Sequence, residues 1–257
     1  MITAGIDMGT QSVKVAILEN GEIISIGFAF CGFNPKEAAE QAFEEALRKA
    51  NLSFDKIEHI TATGAGADKA INFDSTISMM GADAQAGAYF FPSARTIIDV
   101  GAEEARAVSC DENGKMLNFV LNARCAAGAG TFIEAMARAL EVKLDELGPL
   151  SLKAEKASPI NASCVIFAES DVISLIHRQE SKPEIARAIY DAMADRISSM
   201  VRRLGIKPHV ALMGGVAKDV GFVTSLKRKL GMELLIPQEP VFGGSVGAAL
   251  TAAKRVG

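Results

Sequence analysis

Two stretches of this chain are built on one plan. Residues 4–18 read Ala-Gly-Ile-Asp7-Met-Gly9-Thr10-Gln-Ser12-Val-Lys14-Val-Ala-Ile-Leu18. The alternation of Val13, Val15 and Ile17 argues a strand. Asn20-Gly21 is the dipeptide of a tight hairpin turn, and Glu22 to Phe30 reads as the returning strand. The second stretch opens on Thr96-Ile-Ile-Asp99-Val-Gly101. It continues through a strand at Arg106 to Cys110, a turn at Asn113-Gly114 and a return over Met116 to Leu121. Asp to turn Asn is 13 residues in the first copy and 14 in the second. A chain that carries the same strand–bend–hairpin twice is expected to fold as two similar halves around a central cleft.

The rest of the chain fits an α/β protein. An amphipathic helix is expected over Pro35 to Ala50. A strand over Ile57 to Thr63 ends in Gly64-Ala-Gly66, and Ser75 to Tyr89 reads as helical. After the second copy, a helical pattern runs through Phe132, Met136 and Leu140. Leu150 to Ser158 is a polar connector, a second helix runs to about His177, and Pro183 to Leu204 is a long amphipathic helix. His209 to Met213 is a short buried strand that ends in Gly214-Gly215 and enters another helix. Gly243 to Leu250 is a small-residue helix. At 257 residues with 49% hydrophobic and 23% charged, the chain fits one large domain or two modest ones with a sizeable core. The net charge is -4 and the Lys and Arg are scattered, so nucleic acid is not an expected partner. The N-terminus lacks a basic region followed by a long apolar run, and no stretch is suited to a bilayer. A cytoplasmic protein is expected, with its four cysteines as free thiols or metal ligands.

Two of those cysteines open helices. Asn122-Ala-Arg-Cys125-Ala-Ala-Gly-Ala-Gly130-Thr131-Phe132 and Asn161-Ala-Ser-Cys164-Val-Ile-Phe-Ala-Glu169 both set a cysteine among small residues before an apolar helical pattern. A helix start has unpaired N–H groups and the positive end of the dipole, which stabilise a thiolate and any anionic group it holds. Two small buried cysteines are the plainer reading; two at matching helix starts favour ligands. Cys31 and Cys110 read as packing residues. His59, His177 and His209 share no metal-ligand spacing. At the glycines, backbone amides are able to approach phosphate oxygens. Asp7 and Asp99 in their bends would hold a hydrated Mg²⁺ between them. Thr10, Ser12 and Lys14 would add donors beside the first bend. Gly214-Gly215 would let a purine lie against backbone. Glu104 and Glu169 are candidates for positioning water or for the surroundings of a bound group, and an exposed helix carboxylate is the plainer reading of each. Gly64 and Gly66 either line the cleft or end a strand.

This set resembles the acetate and sugar kinase, Hsp70 and actin superfamily. The resemblance implies two duplicated actin-like, ribonuclease H-like ATPase subdomains closing on ATP or ADP. It puts Asp7 and Gly9 in the first phosphate motif, Asp99, Gly101 and Ala102 in the second, and Gly214 and Gly215 in the adenosine motif. With the Cys125 and Cys164 segments added, the whole chain looks like the activator of 2-hydroxyacyl-CoA dehydratases and the related ATPase subunits of benzoyl-CoA reductase. Many activators have Gly-Gly-Gln-Asp in the second phosphate motif. This chain has Gly101-Ala102-Glu103-Glu104, which looks closer to the reductase-type subunits.

The resemblance implies a [4Fe-4S] cluster bound by two cysteines from each of two chains. The cofactors would be ATP and Mg²⁺, the electron donor a ferredoxin or flavodoxin, and the acceptor an acyl-CoA dehydratase or reductase. A cubane takes about four thiolates. One chain offers two cysteines of matching context, so a homodimer, or a heterodimer with a close homologue, would complete the set. The expected subdomains are residues 1–94 with 243–257, and residues 95–242. A small-molecule kinase is the rival reading, and it needs a carboxylate base beside an acceptor hydroxyl. A non-enzymatic, actin-like assembly protein is a second rival.

Overall fold

The structure, a computed structural model, describes residues 1–122, 129–160 and 164–257. The chain opens with β1 (Ile2–Met8), β2 (Ser12–Glu19) and β3 (Glu22–Phe30), followed by α1 (Pro35–Ala50), β4 (His59–Thr63), β5 (Ser75–Thr76) and α2 (Met79–Phe90). The second set is β6 (Thr96–Val100), β7 (Ala105–Cys110) and β8 (Met116–Asn122). Four helices follow: α3 (Gly130–Ala139), α4 (Leu144–Ser151), α5 (Val165–His177) and α6 (Lys182–Leu204). Then come β9 (Val210–Met213), α7 (Val220–Leu230), β10 (Leu234–Leu235) and α8 (Gly243–Val256).

The first sheet has the order β3-β2-β1-β4-β5, and the second β10-β9-β6-β7-β8. Written from its other edge, the second is β8-β7-β6-β9-β10. Third, second, first, fourth and fifth strands therefore follow one another in both, and the repeat seen in the sequence is a repeat of the fold. In the first sheet β2 runs antiparallel to β1 and β3, while β4 runs parallel to β1. The hairpin turns as its residues require: Asn20 and Gly21 both have positive φ, 51° and 87°.

Contacts divide the chain into two units, Met1–Ile97 with Val108–Asn118 and Pro237–Gly257, and Ile98–Ala107 with Phe119–Ile236. In the first, Ile6, Val13, Val15 and Ile17 pack with Ala39, Ala42 and Phe43 of α1. The small-residue helix α8 lies directly on β1: a Cβ on Gly5 would stand 2.0 Å from the Ser245 carbonyl oxygen. In the second, Ile98 and Val100 share a core with Phe132, Met136, Tyr190, Leu212 and Phe222.

Three expectations change. Ser75 and Thr76 form a strand beside β4, and the helix starts only at Met79, where the Ser78 hydroxyl accepts the Gly81 N–H. The connector expected from Leu150 is preceded by a helix, α4, whose last residues reach Ser151. Gly215 to Lys218 form a 3₁₀ turn, and α7 begins only after the Asp219 cap.

Candidate functional site

In the first unit Asp7 lies one residue before the end of β1, in register with Lys14 on β2 and Thr63 on β4. The chain bends at Gly9, whose N–H donates to the Ser12 carbonyl at 3.1 Å. The Lys14 ammonium is 3.4 Å from Asp7 Oδ2 and donates to the same Ser12 carbonyl at 3.2 Å. Thr10 is exposed at the tip of the bend and Ser12 is buried. Glycines surround the carboxylate. A Cβ on Gly64 would be 2.6 Å from Asp7 Oδ1, and one on Gly244 would be 3.1 Å from Oδ2. Gly64 also has φ 95°, a conformation that side chains rarely adopt.

The second unit repeats this geometry with different side chains. The Gly101 N–H donates to the Glu104 carbonyl at 2.9 Å. Arg106 on β7 places Nη2 3.0 Å from Asp99 Oδ1 and donates from Nη1 to Glu104 Oε1. The offsets from the Asp are the same in both copies: glycine at two, carbonyl acceptor at five, cation at seven. Ser12 and Glu104 therefore hold one position of the repeat, a hydroxyl in one copy and a carboxylate in the other. The fourth strands match as well. Gly214 follows β9 with φ 89°, and a Cβ there would lie 2.3 Å from the Val100 carbonyl oxygen. Gly64 follows β4 and approaches the Met8 carbonyl oxygen in the same way, at 2.5 Å. A Cβ on Gly215 meets nothing within 4 Å, so that peptide is open to a flat group.

The start of α3 is tied to the second bend. Gly130 and Thr131 donate their N–H groups to the carbonyls of Gly101 and Ala102, both at 2.9 Å. Two buried hydroxyls, Thr63 Oγ1 beside Asp7 and Thr131 Oγ1 beside the Ala102 bend, have no hydrogen-bond partner among the described residues. An unpaired buried hydroxyl costs about 1–3 kcal/mol, and such groups gather where a ligand or ion is handled. The glycine-lined carboxylates, flanking cations and unpaired hydroxyls suit the binding of a metal-bound polyphosphate.

Cys164 is the residue before α5 and leaves the first turn without a side-chain cap. It is half-buried, and Ile166 and Phe167 behind it are 69% and 58% exposed. A partly accessible thiol at the start of a 13-residue helix fits a metal ligand. Cys125 lies outside the described residues. Cys31 and Cys110 differ from Cys164 in setting. Cys110 is buried, and burial pushes its thiol pKa up. Cys31 donates to the Gly9 carbonyl; burial raises its pKa, Lys14 pulls it down and Asp7 raises it. Glu169 is exposed on α5. His59 bonds Ser75 through Nε2 at 2.9 Å, a structural contact.

Arg106, Gly244, Thr63 and Thr131 stand beside these residues without having been singled out from the sequence, and Gly64 both follows the end of β4 and lies against Asp7. The seven-residue spacing of Asp7 to Lys14 recurs in Asp99 to Arg106 and would have revealed the arginine. The threonines carry no such signal, because only burial shows that their hydroxyls are unpaired.

A family model described as the BadF/BadG/BcrA/BcrD ATPase family matches residues 4–252. The activator of lactoyl-CoA dehydratase from Anaerotignum propionicum is 36% identical, over 98% of this chain and 97% of its own length. A benzoyl-CoA reductase subunit from Thauera aromatica is 32% identical, over 99% and 94%. The solved activator of the 2-hydroxyisocaproyl-CoA dehydratase from Clostridium difficile with bound ADPNP superposes with a TM-score of 0.92. It is 34% identical, and the match covers 99% of this chain and 95% of that one. A ROK family glucokinase from Streptomyces griseus, at 14% identity and TM-score 0.59 over 99% of this chain and all of its own, shares the fold alone. Among the described residues no helix is long and apolar enough to cross a membrane.

Proposed function

The chain belongs to the BadF/BadG/BcrA/BcrD ATPase family, and on that premise we propose that it is an ATP-driven electron-transfer protein, the activator of an acyl-CoA dehydratase or the ATPase subunit of a benzoyl-CoA reductase-type enzyme. The observation that carries the ATP half is the doubled bend, with its Asp, glycine and cation at the same offsets in both units. Relatives with those printed functions match along nearly the whole chain, which supports the partner class.

Asp7 and Asp99 would hold a hydrated Mg²⁺. Gly9, Thr10, Ser12 and Lys14 would bind phosphate oxygens from the first bend, and the amides of Gly101 and Ala102 from the second. Gly214 and Gly215 would carry the adenosine. Glu104 takes the place of Ser12 in the repeat and would orient the attacking water as a carboxylate base. Catalysis of phosphoryl transfer of this kind rests on positioning and charge.

Cys125 and Cys164, with the same pair from a second chain, would ligate a [4Fe-4S] cluster, which supplies one-electron chemistry at low potential when bound. The bonds from Gly130 and Thr131 to the second bend join the start of α3 to the phosphate motif. Nucleotide-driven movement of residues 1–94 and 243–257 relative to 95–242 would alter the surroundings of the cluster. A ferredoxin or flavodoxin would be the donor, and the protein would work in the cytoplasm.

The test of the ATPase assignment is Mg²⁺-dependent ATP hydrolysis by Asp7→Ala and Asp99→Ala. Both are expected to fall at least about 100-fold, the scale of losing an electrostatic contact to the reacting group, while circular dichroism stays parental. A parental rate in either variant would remove that Asp from the site.

A further inference from the structure

We infer that Arg106 receives the polyphosphate end of the nucleotide in the second unit, as the counterpart of Lys14 in the first, and that Glu104 holds its place until the nucleotide arrives. This rests on the ATP-binding reading above and goes beyond it in naming a residue and an exchange. Spacing, burial, geometry and charge carry it. Arg106 stands seven residues after Asp99, as Lys14 stands seven after Asp7, and each cation reaches its own Asp, at 3.0 Å and 3.4 Å. The Arg106 side chain is 9% exposed, so its charge is held at the bend by structure. Glu104 on its other side is 25% exposed against 9% for Asp99, which makes Glu104 the more displaceable of the two carboxylates. The third is geometric: the planar guanidinium fork fits two oxygens of a phosphate as it fits two carboxylates, which an ammonium does not. The fourth is charge. Asp99, Glu104 and Arg106 sum to one negative charge; without Arg106 they would present two to a polyanion.

The exchange leaves the bond count unchanged. A phosphate oxygen accepts from Arg106 Nη1 in place of Glu104 Oε1, and the released carboxylate becomes available to water. Arg106 is thus a binding residue whose occupation frees the base, and the base would be engaged only when phosphate is present.

Titration calorimetry without Mg²⁺, at fixed ionic strength, separates the possibilities. ATP and AMP are each titrated into the full chain and into Arg106→Gln, Arg106→Lys and Glu104→Gln. Arg106→Gln should weaken ATP at least about tenfold and AMP less than about twofold, since the lost charge faces the terminal phosphates. Arg106→Lys should bind ATP more weakly than the parent and more tightly than Arg106→Gln, because it keeps the charge and loses the fork. Glu104→Gln should tighten ATP, because the competing carboxylate is gone. If Arg106→Gln does not fold, the other two variants decide. An unchanged ATP affinity in Arg106→Gln, an equal loss for ATP and AMP, or weaker ATP binding in Glu104→Gln overturns the inference. A parent that binds ATP no more tightly than AMP overturns the nucleotide reading itself.

Discussion

At the scale of residues, the site is shaped by glycines that leave room and cations that fix carboxylates. Gly64 and Gly214 show this best. Each follows the fourth strand of its sheet, each has positive φ, and each passes within contact of the peptide after the motif Asp. Gly214→Ala would force a left-handed alanine and drive its Cβ to 2.3 Å from the Val100 carbonyl oxygen. A loss of at least about 2 kcal/mol in urea unfolding is expected, with nucleotide affinity falling alongside; parental stability would show that the end of β9 yields more easily than this packing implies. The Asp-x-Gly bends and the Gly214-Gly215 pair were legible because turn chemistry is local. Gly64 was ambiguous, since nothing around it in sequence distinguishes a strand end from a lining residue. Arg106 was readable only by laying one copy over the other, and Thr63 and Thr131 only by burial.

At the scale of elements, the second copy departs from the first between the fourth and fifth strands, where it adds α7, and most of all between the third and fourth. Between the third and fourth strands the first copy has α1 and a short 3₁₀ turn, and the second has, among the described residues, α3, α4, α5 and α6. Cys164 and the segment of Cys125 lie in that added stretch. The periodic helices α1 and α6 were clear from their apolar spacing. Helix α4 was not: Gly148 and Pro149 sit inside it, and its formation depends on burying Leu147. β10 is only two residues long and owes its place to pairing with β9. One residue ties the helices of this unit together. Asp219 accepts from the Gly221 and Phe222 N–H groups at the start of α7 and from the Tyr190 hydroxyl of α6 at 2.6 Å. Burial first, then Asp219, pushes the Tyr190 pKa far up, so the phenol stays a donor. Asp219→Ala removes the cap and leaves a buried hydroxyl unpaired. A loss of about 2–4 kcal/mol is expected, measured as the shift of the urea midpoint at constant slope. A loss no larger than a surface substitution gives would mean that α6 and α7 hold without it.

At the scale of the whole molecule, the proposed cluster requires two chains. The ATP machinery is assigned to one chain, but the cysteines of one chain would be half of the proposed ligand set. Ile166, Phe167, Ile173 and Ile176 of α5, the helix that Cys164 opens, are all more than 40% exposed, an apolar surface suited to being covered by the proposed second chain. Cluster and dimer should therefore be lost together. Cys164→Ser places a favoured cap residue at the start of α5, so the fold should survive the loss of the thiol. The measurement that bears most directly on this is iron content together with sedimentation, on anaerobically purified parent, Cys125→Ser, Cys164→Ser, Cys31→Ser and Cys110→Ser. About two iron atoms per chain, on a dimer, are expected for the parent and for the Cys31 and Cys110 variants, with iron lost and the dimer weakened in the Cys125 and Cys164 variants. An iron-loaded monomer, or full iron in Cys125→Ser or Cys164→Ser, would contradict the shared cluster.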